Sequence, residues 1–345
     1  MSSTAIVATE PTSNWARMRI WAGAHAVDDF YQGIVPAAVP YFVLERHFDY
    51  VAASGLAMAA TLGSAVPQLL VGVLADRYRL RWMSPVGVSL AGIGAGLAGL
   101  VPAYPAIFLL LLLSGFGVAM FHPPAGRDAR RAAGNSATAM SYFAAGGSVG
   151  FFVAPAIATP ALQALGLGAT AMFIPPAVLM GVVLGRHQMR ASARGRSAHS
   201  VAGGVDRPGL FAGLTCVEVI RSSVSFGVNT FVSLYWITHL GASSVLGGTA
   251  LALELGGGVL GTLIGGRIGD RIGLVRTVQL GNALLVPAIV GLLACDNKYA
   301  ALPLIMIVGL VGNVPFAVLV KLGQDYLPSR PGTAAGVTLG LAVSA

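Results

Sequence analysis

The sequence predicts an all-α integral membrane fold of two pseudo-symmetric six-helix halves, here about ten full transmembrane helices plus the start of an eleventh. Three observations carry that reading. The chain has 345 residues, of which 55% are hydrophobic and only 10% charged, and its mean hydropathy of +0.77 lies outside the soluble globular range. Apolar runs of about 18 or more residues recur along its length, each able to cross a hydrocarbon core of about 30 Å as a helix. They are continuous rather than alternating in a period of two, which argues against a β-barrel. Finally, the pattern Gly-x-x-x-Asp-Arg occurs twice, from Gly72 to Arg77 and from Gly266 to Arg271, each time after an apolar run.

Taken in order, residues 1–16 are polar or small and read as a cytoplasmic N-terminal tail. The apolar run that follows is too long for the core of a cleavable leader. Spans are expected at 17–44, 52–75, 83–101, 105–123, 137–160 and 169–185, forming an N-terminal six-helix bundle over 17–185. Residues 186–208 have the composition of a cytoplasmic linker, with Arg190, Arg194, Arg196, Ser197, His199 and Gly203-Gly204. Four further spans are expected at 209–238, 244–265, 277–294 and 300–320, followed by a polar turn from Lys321 to Gly332. The last apolar run has about 13 residues, fewer than a bilayer crossing needs. The C-terminal bundle over 209–345 therefore reads as incomplete.

The formal charge of +8 reads as topology and not as a nucleic-acid footprint. Of the 21 Lys and Arg residues, this segmentation puts only Arg46 and Lys298 outside and Arg221 inside a span, with all the others on one face. Cytoplasmic loops collect such residues, so the N-terminus is expected inside a cell (inner) membrane that the chain crosses many times. Trp82, Tyr104, Tyr235, Trp236 and Tyr299 fall near span ends and are expected as interfacial anchors. Cys216 and Cys295 form neither a disulfide framework nor a metal-ligand spacing. No metal set, phosphate loop or nucleophile elbow is present, so an enzyme is not expected.

The duplicated loops have a physical use. Gly72 and Gly266 permit close helix approach. Asp76 and Asp270 can accept hydrogen bonds from exposed amides at another helix N-terminus, where the dipole favours negative charge. Arg77, Arg81, Arg271 and Arg276 could add reciprocal ion pairs. Such contacts would form an inner gate.

Charged groups at bilayer depth cost several kcal/mol unless paired or hydrated, so each is a functional candidate. His25, Asp29 and Gln32 follow i, i+4, i+7 on one face of the first span, with Asp28 pointing elsewhere. Glu218, Arg221, Ser222, Ser225 and Asn229 share a stripe on the seventh. A shift of about 193 residues lays Glu218 over His25 and Arg221 over Asp28. The two stripes are expected to face one path, although an i, i+3 pair between Glu218 and Arg221 is a competing arrangement. Glu254 is isolated and could pair with Arg221 or His25. His122, before Pro123-Pro124, reads equally as a helix-end residue or a gate residue. His47, His187, His199 and His239 receive no role.

The twin loops resemble those of the major facilitator superfamily, Gly-x-x-x-Asp-Arg-x-Gly-x-x-x-Arg. The second copy matches through Gly273, while Arg79 stands at that glycine's place in the first. A narrower set is similar to the fosmidomycin-resistance branch of that superfamily. It comprises Phe121-His122-Pro123 with Arg127 and Arg130-Arg131, then Phe143 through Gly146-Gly147-Ser148 and Gly150 to Ala154-Pro155, with His25, Asp28 and Asp29. Arg221-Ser222, Gly227 to Asn229 and Leu322-Gly323-Gln324-Asp325 complete it. Two departures are Ala154, where drug antiporters have Gly before Pro, and Ala144, where the branch tends to have Gln. The resemblance implies alternating access, and a latch of the Asp76 loop on the start of span eleven near Pro331, Gly332 and Thr333.

The expected function is therefore a monomeric secondary transporter exporting small amphiphilic drugs or metabolites in exchange for protons. No cofactor beyond the proton gradient is expected. Asp29 with His25, Asp28 and Glu218 are the proton-coupling candidates; Arg221, Gln32, Asn229 and Glu254 are the substrate-binding ones. A proton-coupled importer of a small organic anion is one alternative. A non-transporting membrane sensor or assembly protein on the same fold is another.

Overall fold

The computed structural model describes residues 13–78, 80–193 and 204–341. Arg79 and the linker residues Arg194, Arg196, Ser197, His199 and Gly203 lie outside the described residues, as does most of the N-terminal tail. The first half comprises α1 (Trp15–Arg46), α2 (Tyr50–Tyr78), α3 (Met83–Ala98), α4 (Tyr104–Ala133), α5 (Ala137–Leu165) and α6 (Ile174–Ala193). The second comprises α7 (Pro208–Leu234), α8 (Ser244–Ile272), α9 (Leu274–Leu293), α10 (Ala301–Asn313), α11 (Phe316–Tyr326) and α12 (Pro331–Gly336). Among the described residues there is no strand.

Seven stretches are long and apolar enough to cross a membrane. One of them, Ala137–Arg190, holds both α5 and α6, and another, Ala301–Tyr326, holds α10 and α11 as a single span. α1, with 32 residues, is long enough but is kept out of that set by its charged residues, among them the buried Asp28, and α3 is a shorter apolar helix. Turn chemistry sets the boundaries. Ser136 caps α5 by accepting from the Ala139 amide, and Ser243 caps α8 by accepting from Leu246. Gly273, at φ 91°, turns the chain from α8 into α9 in a conformation that side-chain-bearing residues avoid.

Two expected boundaries move. α4 does not stop at Pro123 but runs on to Ala133, carrying Arg127, Arg130 and Arg131 on a helix. Every residue from Gly117 to Arg127 is buried, so packing on all sides holds the helix through two prolines that would end an exposed one. Likewise Lys321 to Tyr326 is helix and not a polar turn. Lys321 and Asp325 pair at i, i+4, 2.7 Å apart, which supports that extra turn. Trp236 is also no interfacial anchor: it is fully buried, and its indole donates to the Lys298 carbonyl at 3.0 Å.

Within the first half α1 packs on α5, and α4 lies between α2 and α3; within the second, α10 packs on α8 and α9. The two halves meet through a repeated crossing, α5 on α8 and α12 on α2. An apolar cluster seals this meeting, with Val320, Ala335 and Leu339 of the second half against Phe121, Ala125, Ala129 and Phe143 of the first. Among the described residues α1 and α7 do not pack closely on each other.

Candidate functional site

The twin loops lie at one end of the bundle, here called the basic end. Asp76, on the last turn of α2, receives the Gly332 amide at 2.7 Å, the Thr333 amide at 2.7 Å and the Thr333 hydroxyl at 2.9 Å. Asp270, on the last turn of α8, receives the Ala137 amide at 2.6 Å, the Thr138 amide at 2.9 Å and the Ser136 hydroxyl at 3.0 Å. Each carboxylate thus occupies the N-terminus of a helix from the other half, where unpaired amides and the dipole both favour it. The motif glycines let the backbones approach. A Cβ on Gly72 would sit 2.8 Å from the Gly332 carbonyl oxygen, and one on Gly266 would sit 2.7 Å from that of Ala137.

The expected ion pairs of the motif arginines are not formed. Among the described residues Arg77, Arg81, Arg271 and Arg276 make no salt bridge, and Arg77 lies instead over the Tyr78 ring at 5.2 Å. All four are exposed, where water solvates a guanidinium at little cost. The ion pair between the halves is a different one. Arg130 of α4 reaches Asp325 of α11 at 2.7 Å, and Lys321 meets the other oxygen of that carboxylate at 2.7 Å. Beside it, Gln324 donates to the Gly126 carbonyl at 3.1 Å, and Arg127 donates to the Ala75 carbonyl.

Removal of one latch has a definite expectation. Asp76→Ala deletes three hydrogen bonds to the carboxylate, and the loss of even one such bond costs about 1.5–3 kcal/mol. That shifts the closed-to-open equilibrium of the basic end by about ten- to a hundredfold. Spin labels at Tyr78→Cys and Ser329→Cys, with Cys216 and Cys295 replaced, should report a new long-distance population. An unchanged distance distribution would refute the latch.

Deeper in the first half, α1, α4 and α5 build a compact polar cluster. His25 Nδ1 donates to the Phe143 carbonyl at 2.8 Å, and its ring stacks on Phe143 at 4.3 Å between centroids. His25 Nε2 lies 3.3 Å from Asp29 Oδ2 and 3.1 Å from His122 Nε2. His122 Nε2 in turn lies 3.1 Å from Asp29 Oδ1, which also receives the Gln32 amide at 2.7 Å. His122 Nδ1 faces the Val118 carbonyl at 3.2 Å and Asp28 Oδ2 at 3.8 Å. His25 and His122 are buried, while the Asp29 side chain keeps 16% of its exposure. Gly147 of α5 closes the cluster: a Cβ there would overlap Asp29 Oδ2 and His25 Nε2. Among the described residues this is the one group of three such side chains whose ligand atoms all lie within 4.8 Å of one another. No cysteine or spacing rule pointed to it.

The face His25, Asp29, Gln32 is thus real, and Asp28 does point away from it: both its oxygens are buried without a hydrogen bond. His122 is the residue missed, because Pro123-Pro124 reads as a helix end. On the second half, Glu218 and Arg221 form the competing i, i+3 pair, with Arg221 Nε and Nη2 donating to the two Glu218 oxygens at 3.1 and 2.6 Å. Arg221 also reaches the Gly312 carbonyl at 3.4 Å and lies over the Phe316 ring at 5.3 Å. Glu254 pairs with neither Arg221 nor His25. The Asn229 amide, oriented with its nitrogen inward, donates to both Glu254 oxygens. The stripes overlaid by pseudosymmetry stay on their own halves, where Asp28 and the Ser222 hydroxyl are left without hydrogen-bond partners.

The family model for the Major Facilitator Superfamily matches residues 21–344. The chain belongs to the major facilitator superfamily. It is a multi-pass membrane transporter and not an enzyme. The transporter is similar to the fosmidomycin resistance protein of Escherichia coli (strain K12), 26% identical over 328 residues, covering 92% of this chain and 80% of that one. It is equally similar to the uncharacterized MFS-type transporter YfnC of Bacillus subtilis (strain 168), 26% identical over 330 residues with the same coverage. Among solved structures, the proton:xylose symporter XylE superposes with a TM-score of 0.71 at 14% identity, covering 96% of this chain and 87% of that one.

Proposed function

We propose that this transporter is a proton-coupled exporter of small amphiphilic drugs or metabolites. It works as a monomer by alternating access in the cell (inner) membrane, with the N-terminus and the basic end in the cytoplasm. The observation that carries this reading is where the halves touch. The hydrogen bonds and ion pairs that join them through Asp76, Asp270, Arg130, Arg267 and Gln324 lie at the basic end. With that end inside, the conformation is inward-closed. Protons reach Asp29 and His25 from the outer side and leave after the latches of Asp76 and Asp270 break. The exposed Arg77, Arg81, Arg271 and Arg276 hold the basic end in the cytoplasm.

Gln32, Asn229 and Glu254 are the substrate-facing candidates of the two halves. Arg221 commits three of its five N–H donors to Glu218 and the Gly312 carbonyl, so its role is to compensate Glu218. It is then not free to anchor an anion, which favours export of an amphiphile over import of an organic anion. The gradient supplies the energy, and no cofactor takes part.

Everted membrane vesicles holding the chain, given an acid interior, should accumulate fosmidomycin, the compound in the name of the curated relative. A panel of lipophilic dyes extends the test to other amphiphiles. Gradient-driven accumulation confined to right-side-out vesicles would overturn the direction, and none in either orientation would overturn the transport mode.

A further inference from the structure

The contacts of the α1–α4–α5 cluster constrain its hydrogens. Each Nδ1 faces a carbonyl oxygen, that of Phe143 for His25 and of Val118 for His122, and a carbonyl can only accept. Both Nδ1 atoms therefore carry hydrogen, and a neutral imidazole so arranged has a bare Nε2. With both rings neutral, bare Nε2 atoms would face each other at 3.1 Å and face ionised Asp29 oxygens at 3.1 and 3.3 Å. Those are three close contacts between acceptors, with no hydrogen in any.

One proton does not resolve them. Placed on His25 Nε2, it serves the contacts of that atom and leaves His122 Nε2 bare against Asp29 Oδ1. Placed on His122 Nε2, it leaves His25 Nε2 bare against Asp29 Oδ2. Two protons give each Nε2 its own oxygen of the same carboxylate, so that the 3.1 Å Nε2–Nε2 contact holds two N–H groups that both point to Asp29 and are screened by its charge, and the Gln32 amide steadies that carboxylate from the side.

Charge leads to the same count. Asp28 is fully buried, its oxygens lack hydrogen bonds, and Oδ2 lies 3.8 Å from His122 Nδ1. With Asp28 ionised as well as Asp29, neutral rings would leave a net charge of −2 at bilayer depth, where unpaired charge is expensive. The other groups in contact supply no cation. Tyr31, one turn beyond Asp28 on α1, donates its hydroxyl to the Phe173 carbonyl at 2.5 Å. α4 adds the Phe121 ring, and α5 adds the Phe143 ring and Gly147.

We propose that the cluster binds two protons at once, one on Nε2 of His25 and one on Nε2 of His122, with Asp29 clamped between the rings and Asp28 as the countercharge of His122. This rests on the proton-coupled reading for the identity of the ion and adds to it a stoichiometry and a residue. The step is the addition of two protons from the cavity to two nitrogen lone pairs past the partly exposed Asp29, and no other bond forms or breaks.

The test counts protons on the purified full chain in nanodiscs, after chelator treatment, using an indicator dye on a jump from about pH 9 to about pH 5, which spans the imidazole range. His25→Gln and His122→Gln should each take up about one proton fewer than the parent chain. In [15N]histidine spectra of the unaltered chain, both rings should carry hydrogen on both nitrogens at the acid end, a readout that needs no variant to fold. Uptake unchanged in His122→Gln, or a bare Nε2 on either ring at low pH, would overturn the proposal. So would a carboxylic-acid infrared band that Asp28→Asn removes, because the second proton would then be on Asp28. Stoichiometric zinc uptake by this cluster would replace it with a metal site. A one-proton count with proton-driven export intact would overturn only this proposal; export without any proton dependence would overturn the coupling reading itself.

Discussion

Asp29→Asn is expected to abolish proton-driven accumulation while leaving substrate exchange measurable. The side chain keeps its shape: its oxygen, in the place of Oδ1, still accepts from Gln32, and its amide nitrogen, in the place of Oδ2, can donate to a bare Nε2 of His25. One of the three acceptor contacts is then relieved without a proton, and the carboxylate charge that holds protons in the cluster is gone. A pH difference of one unit is worth about 1.36 kcal/mol per coupled proton, so the parent chain can sustain about tenfold accumulation for one proton and about a hundredfold for two. The variant should sustain about onefold, since nothing in the cycle would then depend on the gradient. Exchange of labelled for unlabelled substrate across vesicles needs only the conformational change and should persist. Undiminished accumulation in this variant would remove Asp29 from the coupling role.

Arg221→Met is expected to cost more stability than any other single change considered above. It leaves Glu218, which has no exposed surface, as an unpaired carboxylate between α7 and the α10–α11 span. Removing one partner of a buried pair typically costs about 3–5 kcal/mol, whereas replacing both by apolar groups of similar volume is often neutral. Glu218→Leu combined with Arg221→Met should therefore recover most of the thermal midpoint lost by the single change. The double variant also separates two roles for Arg221. Retained transport would confirm it as the compensator of Glu218, and recovered stability with lost transport would restore it as a substrate anchor. A single variant as stable as the parent would show that the pair does not carry the packing.

What the sequence made legible was whatever repeats or lies within one helix. Asp76 and Asp270 could be placed at another helix's N-terminus because each follows a span and recurs at the same step, and the family resemblance put the Asp76 latch on the start of span eleven. His25, Asp29 and Gln32 share a face by helical spacing alone, and Glu218 with Arg221 is a one-turn pair. Contacts made only by tertiary packing were not legible. Arg130 meets Asp325 across 195 positions, and no local pattern joins them. His122 was hidden by its own neighbours, since Pro123-Pro124 is a stop signal wherever surrounding helices do not hold the chain in place. The arginines of the twin loops misled in the opposite way: a pattern that suggests ion pairs marks a solvated surface.

One helix takes part in two of these devices. α5 begins at Ala137, whose amide is bonded to Asp270, and six residues later its Phe143 carbonyl holds His25. At a rise of about 1.5 Å per residue the two points are about 9 Å apart along a rigid rod. A pull on the rod at the Asp270 end is delivered to the imidazole without passing through any loop. Opening the basic end is therefore expected to disturb the His25 ring directly, so that the proton load is released by the same stroke that opens the exit for it.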